Sequence, residues 1–341
     1  MKNDSRDCVE SLNRESLRVA VVGLGKMGIL HASILNTLPN VKLTALCDKN
    51  PMILKFFKKV LNEVNVVDDV EKLSGLDLDA VYVTTPISSH FLVVKTVYLK
   101  GIVRNLFVEK TLASSYDKAK ELCELAQSFG DINMVGYMKR FAVTFRKAKD
   151  LLNQDTLGEV VSFDAYAYSS DFLGSEKSSK TSESRGGVLR DLGAHVIDLA
   201  LWFFGDLEVD SAKLGSLVDG SSEDSAYFRV KKSGGLEGRF NISWCKENYR
   251  LPEFGLVIRG SEGIIKVNDD KVELKLDDGK SSRWYRHDLN DNVGFLLGAP
   301  EYFREDECFV EAVLNGGNSE PSFCAASEVD YIVDQVKCRA G

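Results

Sequence analysis

VAVVGLGKMG, residues 19–28, is the stretch from which the rest of this chain is read. The apolar run LRVAVVG (17–23) has the length and composition of a buried strand, and a helical pattern follows from Met27 to about Leu38. Between the two, Gly23, Gly25 and Gly28 keep the spacing G-x-G-x-x-G. In a strand–turn–helix setting each glycine has its own physical reason. Gly23 permits the tight turn, Gly25 lets a pyrophosphate approach the backbone, and Gly28 allows close packing of helix on strand. The helix N-terminus offers N–H groups and a positive dipole end to the phosphates; Lys26 and Met27 lie in the same turn. Asp48 closes the next strand, VKLTALCD (41–48), 20 residues beyond Gly28. A carboxylate there accepts hydrogen bonds from ribose hydroxyls and repels a 2′-phosphate, which favours NAD; Lys49 beside it leaves NADP open.

Working outward, strand-like and helix-like segments alternate. PMILKFFKKVL (51–61) reads as a helix, DAVYVTTP (79–86), NLFVEK (105–110) and INMVGY (132–137) as strands, and 89–99 and 115–129 as helices. Apolar strands alternating with helices imply an α/β fold with a parallel sheet covered on both faces. Ligands bind such sheets at the C-terminal ends of the strands. Thr84, Thr85 and Pro86, at the end of one strand, are therefore placed to line the cofactor. His90, on the following helix, is either a helix-surface histidine or a cofactor contact. Glu109 and Lys110 end the next strand, facing the same crevice. A lysine ammonium there can hold a substrate hydroxyl oxygen and stabilise a developing alkoxide.

Further along, the period changes. In VSFDAYAYSSDF (161–172), Val161, Phe163, Ala165 and Ala167 alternate with Ser162, Asp164, Tyr166 and Tyr168. Period two means one buried face and one accessible face. AYFRV, LEGRFNISW, LVIRG, GIIKV and VELKL repeat the pattern, and Asp277-Asp278-Gly279-Lys280 supplies a hairpin turn. These strands predict a second, α+β domain with an open, mostly antiparallel sheet. A last helix is expected at about 325–337. The divisions are a polar leader (1–16), a dinucleotide-binding domain (17–140) and a second domain (141–341), to which the family resemblance given below assigns substrate binding and oligomerisation. LGSEKSSKTSESRGG (173–187) reads as a surface loop or as a lid over a site.

GGVLRDLGAHVIDLALWFFG (186–205) is apolar nearly all round, which implies burial. At 100° per residue, Asp191, His195, Asp198 and Trp202 share one narrow stripe. Buried polar groups need partners, so the stripe is either a satisfied Asp–His pair in the core or one wall of a site. Oxidation of a secondary alcohol needs a base for the hydroxyl proton, and histidine fills that role in both directions.

The net charge of −8 argues against a general nucleic-acid binder. The seven cysteines are scattered and contain no CxxC pair, so reduced thiols in a cytoplasm are expected, with neither a disulfide framework nor a metal site. The first 16 residues lack the apolar core of a signal peptide, and no apolar run reaches membrane-spanning length. Asn241-Ile242-Ser243 matches a glycosylation sequon, which has no use in a chain without a secretion signal.

Together these segments resemble the Gfo/Idh/MocA oxidoreductases, a family that includes glucose–fructose oxidoreductase and inositol dehydrogenase. The likeness rests on VAVVGLGKMG, VTTPISSH, VEKTL, VGYMKRF, GGVLRDLGAHVIDLALWFFG and LVIRGSEGIIKV, and runs over nearly the whole chain after the leader. It implies a Rossmann domain plus an open-sheet domain that often forms dimers or tetramers. It also implies tightly held NAD(H) or NADP(H), and oxidation or reduction of a hydroxyl or keto carbon on a sugar, nucleotide sugar or cyclitol. The family's catalytic lysine maps to Lys110, and its helix aspartate and histidine to Asp191 and His195. Thr111 stands where the family usually has proline, so the cis bond or rigid turn expected there is put in doubt. Lys110, Asp191 and His195 are also expected to touch substrate. Tyr137 and Arg140, with Lys139, can reach it from the junction, and Tyr166, Tyr168, Lys180 and Arg185 from the second domain. Two alternatives stay open: a lyase or glycosidase in which transient ketone formation assists elimination, and a non-enzymatic NAD-binding sensor.

Overall fold

The structure is a computed structural model that describes residues 16–172, 185–216, 222–294 and 298–341. The leader up to residue 15, Cys8, Lys180 and most of the 173–187 loop lie outside these residues, so the lid reading falls there too.

The first half alternates as the glycine turn implies. Its elements are β1 (Leu17–Val22), α1 (Lys26–Leu35), β2 (Val41–Cys47), α2 (Pro51–Val60), β3 (Asn65–Val67), β4 (Ala80–Val83), α3 (Ile87–Leu99), β5 (Asn105–Glu109), α4 (Tyr116–Phe129) and β6 (Asn133–Gly136). The strands form a six-stranded parallel sheet in the order β3-β2-β1-β4-β5-β6. β1 has β2 on one side and β4 on the other, so the chain reverses direction across the sheet at β1. Crevices open at such switch points. The four residues of β4 and the last four of β5 are buried, as strands covered on both faces must be. The three-residue β3 has too few positions to show a period, and the sequence reading passed over it.

A short helical turn (Met138–Phe141) and α5 (Val143–Asn153) lead into the second half. There β7 (Val160–Tyr168) is followed by α6 (Ala194–Phe204), β8 (Glu208–Gly215), β9 (Ser225–Lys231), β10 (Glu237–Ser243), β11 (Glu253–Gly260), β12 (Gly263–Asn268), β13 (Lys271–Leu276) and β14 (Ser281–Tyr285). These strands order as β14-β13-β12-β11-β7-β10-β9-β8, antiparallel except for the β7–β10 pair. The predicted hairpin joins β13 to β14, with Gly279 at φ +91°. Phe163, Ala165 and Ala167 of β7 are buried, while Asp164, Tyr166 and Tyr168 stand on the other face. On the covered face Phe163 stacks on Phe204 of α6 at 4.4 Å, and Phe228 on Phe240 at 4.4 Å.

The last two helices, α7 (Glu301–Asn315) and α8 (Phe323–Ala340), return to the first half. Phe309 and Val310 of α7 join the core around Val19, Tyr82 and Phe107. α8 packs on α4, α6 and β8. It is also joined covalently: Cys123 of α4 and Cys324 of α8 form a disulfide across 201 residues of sequence. This corrects the expectation of reduced thiols throughout. A bridge between two positions this far apart leaves no spacing signal, because the docking of α8 on α4 alone brings them together.

Candidate active site

The cofactor side is built from glycine, N–H groups and one carboxylate. Gly23 has φ +94°, and a Cβ there would lie 2.7 Å from the Thr85 backbone nitrogen. A Cβ on Gly28 would enter the Gly23 carbonyl oxygen and lie 2.7 Å from Thr84 Oγ1. Gly25 differs: nothing lies within 4 Å of the Cβ it lacks. It is the N-cap of α1 and no side chain caps that end, so the first-turn N–H groups face open space that a phosphate can fill. Thr84 Oγ1 donates to the Gly23 carbonyl (2.7 Å) and locks the β1 turn onto β4. Asp48 accepts from the Leu24 N–H (2.6 Å) and the Asn50 N–H (2.7 Å), which fixes its carboxylate at the mouth of β2. A cleft of about 360 Å3 opens here, lined by Gly23, Asp48, Lys49, Asp69, Thr85 and Pro86 among others. The free helix end and the uncrowded Gly25 fit a dinucleotide pyrophosphate, and Asp48 fits its ribose.

His90 is not on the helix surface. It is fully buried, with Nδ1 2.8 Å from the Thr111 carbonyl and Nε2 2.7 Å from the Thr85 carbonyl. It thus props the Thr85 turn against the segment after Lys110. The Lys110–Thr111 peptide bond is cis, so the geometry doubted for want of proline is present with threonine.

On the substrate side, Lys110 Nζ donates to the Asp191 carbonyl (2.7 Å) and to its Oδ1 (3.1 Å). Arg185 Nη1 donates to Asp191 Oδ2 (3.2 Å) and to Asp171 (2.9 Å). Burial favours the neutral form of Asp191, but the Lys110 and Arg185 cations outweigh it and hold the carboxyl below its usual range. His195 is 5% exposed, and its Nδ1 has no partner among the described residues. Burial, followed by the charges of Lys110 and Lys139, pushes its pKa well down, so the ring is neutral. Phe254 (5.0 Å) and Tyr137 (6.3 Å) pack edge-on against it.

The stripe on residues 191–202 resolves into separate partnerships. Residues Leu189–Gly193 wind as a π-turn before α6, so the 100° advance does not hold there. Asp191 belongs to that turn and faces Lys110. Asp198 is fully buried on Arg140, which donates Nε at 2.8 Å and Nη2 at 2.6 Å. Arg140, expected at the substrate, is thereby held in an internal ion pair. Tyr137 is fully buried, with its hydroxyl unpartnered among the described residues. Tyr166 stands on the opposite face of the sheet from α6, where it donates to Glu253 (2.8 Å), away from Lys110 and His195.

Sequence reasoning missed three sets of partnerships. Arg190 anchors the π-turn to α8 through Asp330 and Asp334. Lys139, read from the sequence as able to reach substrate, is instead buried between Asp269 (2.5 Å) and Glu301 (3.1 Å). His31, Glu109 and Asp306 form a buried cluster. Each joins residues more than a hundred positions apart, apart from the His31–Glu109 contact, and no local pattern announces them.

Among the described residues no group of side chains is arranged to hold a metal, and no helix is long and apolar enough to cross a membrane.

Two family models match the chain. The oxidoreductase family with an NAD-binding Rossmann fold, GFO_IDH_MocA, matches residues 17–137, and the GFO/IDH/MocA C-terminal domain matches 145–266. The chain is 22% identical to inositol 2-dehydrogenase of Rhizobium meliloti, over 90% of this chain and 92% of that one. It is 23% identical to D-glucoside 3-dehydrogenase of Escherichia coli, over 96% and 95% respectively. A solved structure of levoglucosan dehydrogenase in complex with NADH superposes with a TM-score of 0.86 at 19% identity, covering 95% of this chain and 97% of that one. With the glycine cleft at the β1/β4 switch point and the lysine strand beside it, these matches establish that the chain belongs to the Gfo/Idh/MocA family of NAD-binding oxidoreductases.

Proposed function

We propose that this chain oxidises or reduces a hydroxyl or keto carbon of a sugar, nucleotide sugar or cyclitol with NAD. The observation that carries the reading is the Lys110–Asp191 pair, 3.1 Å apart at the end of β5. It stands beside the glycine cleft, with a neutral histidine one turn further along the chain. The named activities of the inositol and glucoside dehydrogenases support the substrate class.

NAD, when bound in the cleft, supplies the hydride acceptor or donor. The chain supplies the rest. Gly23, Gly25, Lys26, Met27 and Gly28 present the turn and helix end to the pyrophosphate. Asp48 and Lys49 meet the ribose; Thr84, Thr85, Pro86, His90 and Glu109 shape the nicotinamide side. Lys110 holds the substrate oxygen and stabilises negative charge on it. Asp191 fixes the ammonium through two contacts. His195, kept neutral by burial, takes the hydroxyl proton on oxidation and returns it on reduction.

The test uses Lys110→Ala and His195→Ala against a panel of inositols, glucosides and nucleotide sugars, read by NADH absorbance. Each variant is expected to lose turnover by roughly 10²–10⁴-fold while NADH titrations stay close to those of the native protein. Near-normal rates in both variants would overturn the assignment. Turnover of a glycoside without net NADH change would point to the redox-cycling lyase, and inertness across the whole panel to a sensor.

A homodimer or homotetramer through the open face of the second sheet, and a cytoplasmic location, belong to the same proposal. Tyr227 (40% exposed) on that face supports the first. The free thiols Cys47, Cys245, Cys308 and Cys338 support the second, and the Cys123–Cys324 bridge weighs against it. Sedimentation velocity and thiol mapping of native protein decide them.

A further inference from the structure

Behind the lysine strand lies a buried charged cluster that the proposed chemistry leaves unused. His31, on α1 three residues after Gly28, is fully buried. Its Nδ1 lies 2.8 and 2.9 Å from the two carboxylate oxygens of Asp306 on α7. Its Nε2 lies 3.0 Å from Oε1 of Glu109, the last residue of β5. The rings of Phe107 (5.1 Å), Tyr82 (5.7 Å) and Tyr302 (6.1 Å) pack around it.

An imidazole with a carboxylate on each nitrogen can donate to both only when both nitrogens carry hydrogen. A neutral ring would set a lone pair against a buried anion. With both carboxyls ionised the arrangement is an imidazolium between two carboxylates; burial raises the Asp306 pKa, and the His31 charge opposes that rise. Burial opposes the charge, but Asp306 and Glu109 outweigh it and hold the His31 pKa well above the usual histidine range. Glu305, next to Asp306, is fully buried with both oxygens unpartnered among the described residues. Burial, then the Glu109 charge, pushes its pKa well up, so it adds no third anion.

The cluster ends at the reactive strand. The second oxygen of Glu109 accepts the Lys110 backbone N–H at 3.0 Å. One carboxylate is thus held by His31 on one side and by the Lys110 peptide on the other. A dinucleotide needs two places at a fixed distance: the α1 N-terminus for its phosphates and the β5 end for its nicotinamide. His31 is on the first element and grips the second. Buried ionic triads are often replaceable by apolar residues with no loss of stability, so stability alone does not account for this one.

We propose that His31 and Asp306 are positioning residues that clamp the Glu109–Lys110 strand end to the phosphate-binding helix, making α7 a working part of the NAD site. The inference rests on the reading that the β5 end faces the nicotinamide.

The test measures NADH affinity by fluorescence titration, and unfolding temperature without cofactor, in His31→Gln, Asp306→Asn, Glu109→Gln, the pair His31→Gln/Glu109→Gln and the apolar triple His31→Leu/Asp306→Leu/Glu109→Gln. Losing a hydrogen bond to a charged group predicts roughly ten- to hundredfold weaker NADH binding in each single variant. The combined His31→Gln/Glu109→Gln variant is expected to be no worse than Glu109→Gln alone. The apolar triple, which leaves no buried charge without its partner, is expected to keep its unfolding temperature and still lose NADH affinity, which a purely structural role would not produce. NADH affinity within about twofold of native in His31→Gln and Asp306→Asn overturns the clamp. If Glu109→Gln also binds normally, Glu109 leaves the cofactor site as well; if Glu109→Gln alone is weak, the cofactor reading stands and only the clamp falls. Histidine-selective 15N NMR of the native protein, which has 4 histidines, is independent of cofactor and of variant folding. Two protonated nitrogens on His31 at neutral pH support the clamp, and one overturns it.

Discussion

Alanine at Gly25 and alanine at Gly28 separate the reasons for the two glycines. At Gly25 (φ −71°, ψ −167°) the backbone suits any residue, and the new methyl meets nothing within 4 Å. Gly→Ala at such a site stabilises by about 0.4–1 kcal/mol through the unfolded chain, and poorer N-capping by alanine takes back a similar amount, on the order of 1 kcal/mol. With about 2.1 cal/mol/K per residue over 341 residues, the unfolding entropy is about 0.7 kcal/mol/K, so the unfolding temperature of Gly25→Ala should move by about 1 °C or less. Its methyl, however, projects where a phosphate must approach the α1 N–H groups. One lost charge-assisted hydrogen bond, about 1.5–3 kcal/mol, predicts roughly 10- to 150-fold weaker NADH binding. In Gly28→Ala the methyl enters the Gly23 carbonyl and presses on Thr84 Oγ1 at 2.7 Å. Overpacking of about 1–3 kcal/mol lowers the unfolding temperature by roughly 1.5–4 °C, and the displaced turn loses NADH as well. Thermal unfolding of cofactor-free protein and NADH fluorescence titration read the two effects apart. NADH affinity of Gly25→Ala within about threefold of native would refute the pyrophosphate placement, and equal temperature shifts in the two variants would refute the steric distinction.

Arg140→Met leaves Asp198 fully buried without its cation; a cost of about 3–5 kcal/mol, or roughly 4–7 °C, is expected, with most of it recovered in Arg140→Met/Asp198→Leu. His195 stays neutral in the fold while the unfolded chain protonates below the ordinary value of 6.5. The unfolded state then binds more protons, so stability falls as pH falls. Between pH 6.5 and 5.5 native protein should lose up to about 1 kcal/mol more than His195→Gln in urea unfolding. His31 has the opposite sign: its raised pKa gives stability that is full below 6.5 and lost as pH rises, a decline that His31→Gln should remove. The Cys123–Cys324 bridge closes a loop of 201 residues. The chain-entropy estimate for that length is about 5 kcal/mol as an upper value, so Cys324→Ser should unfold at lower denaturant, and non-reducing peptide mapping should find the pair linked.

The sequence by itself carried the alternating half of the fold and the alternating strands of β7, β9 and β10, and it singled out Lys110, Asp191 and His195 as candidates. These are signals of local period and of residue type at a strand end, where one short stretch reports its own environment. The glycine turn was legible for the same reason: three absent side chains at fixed spacing mark close backbone approach. Which polar residues act on which was decided only in the folded chain. Asp191, His195 and Asp198 share a sequence stripe, yet Asp191 meets Lys110, Asp198 meets Arg140 and His195 Nδ1 finds no partner among the described residues, because a π-turn breaks the helical advance and separate elements reach each residue. Tyr166 alternates correctly along its strand, but period two cannot say which face of a sheet looks toward another domain. His31, Asp306, Arg190 and the Cys123–Cys324 bridge were invisible for a common reason. Each becomes meaningful only when α7 and α8 return from the end of the chain onto the first domain, and a contact closed over hundreds of residues leaves no periodicity in the sequence that makes it.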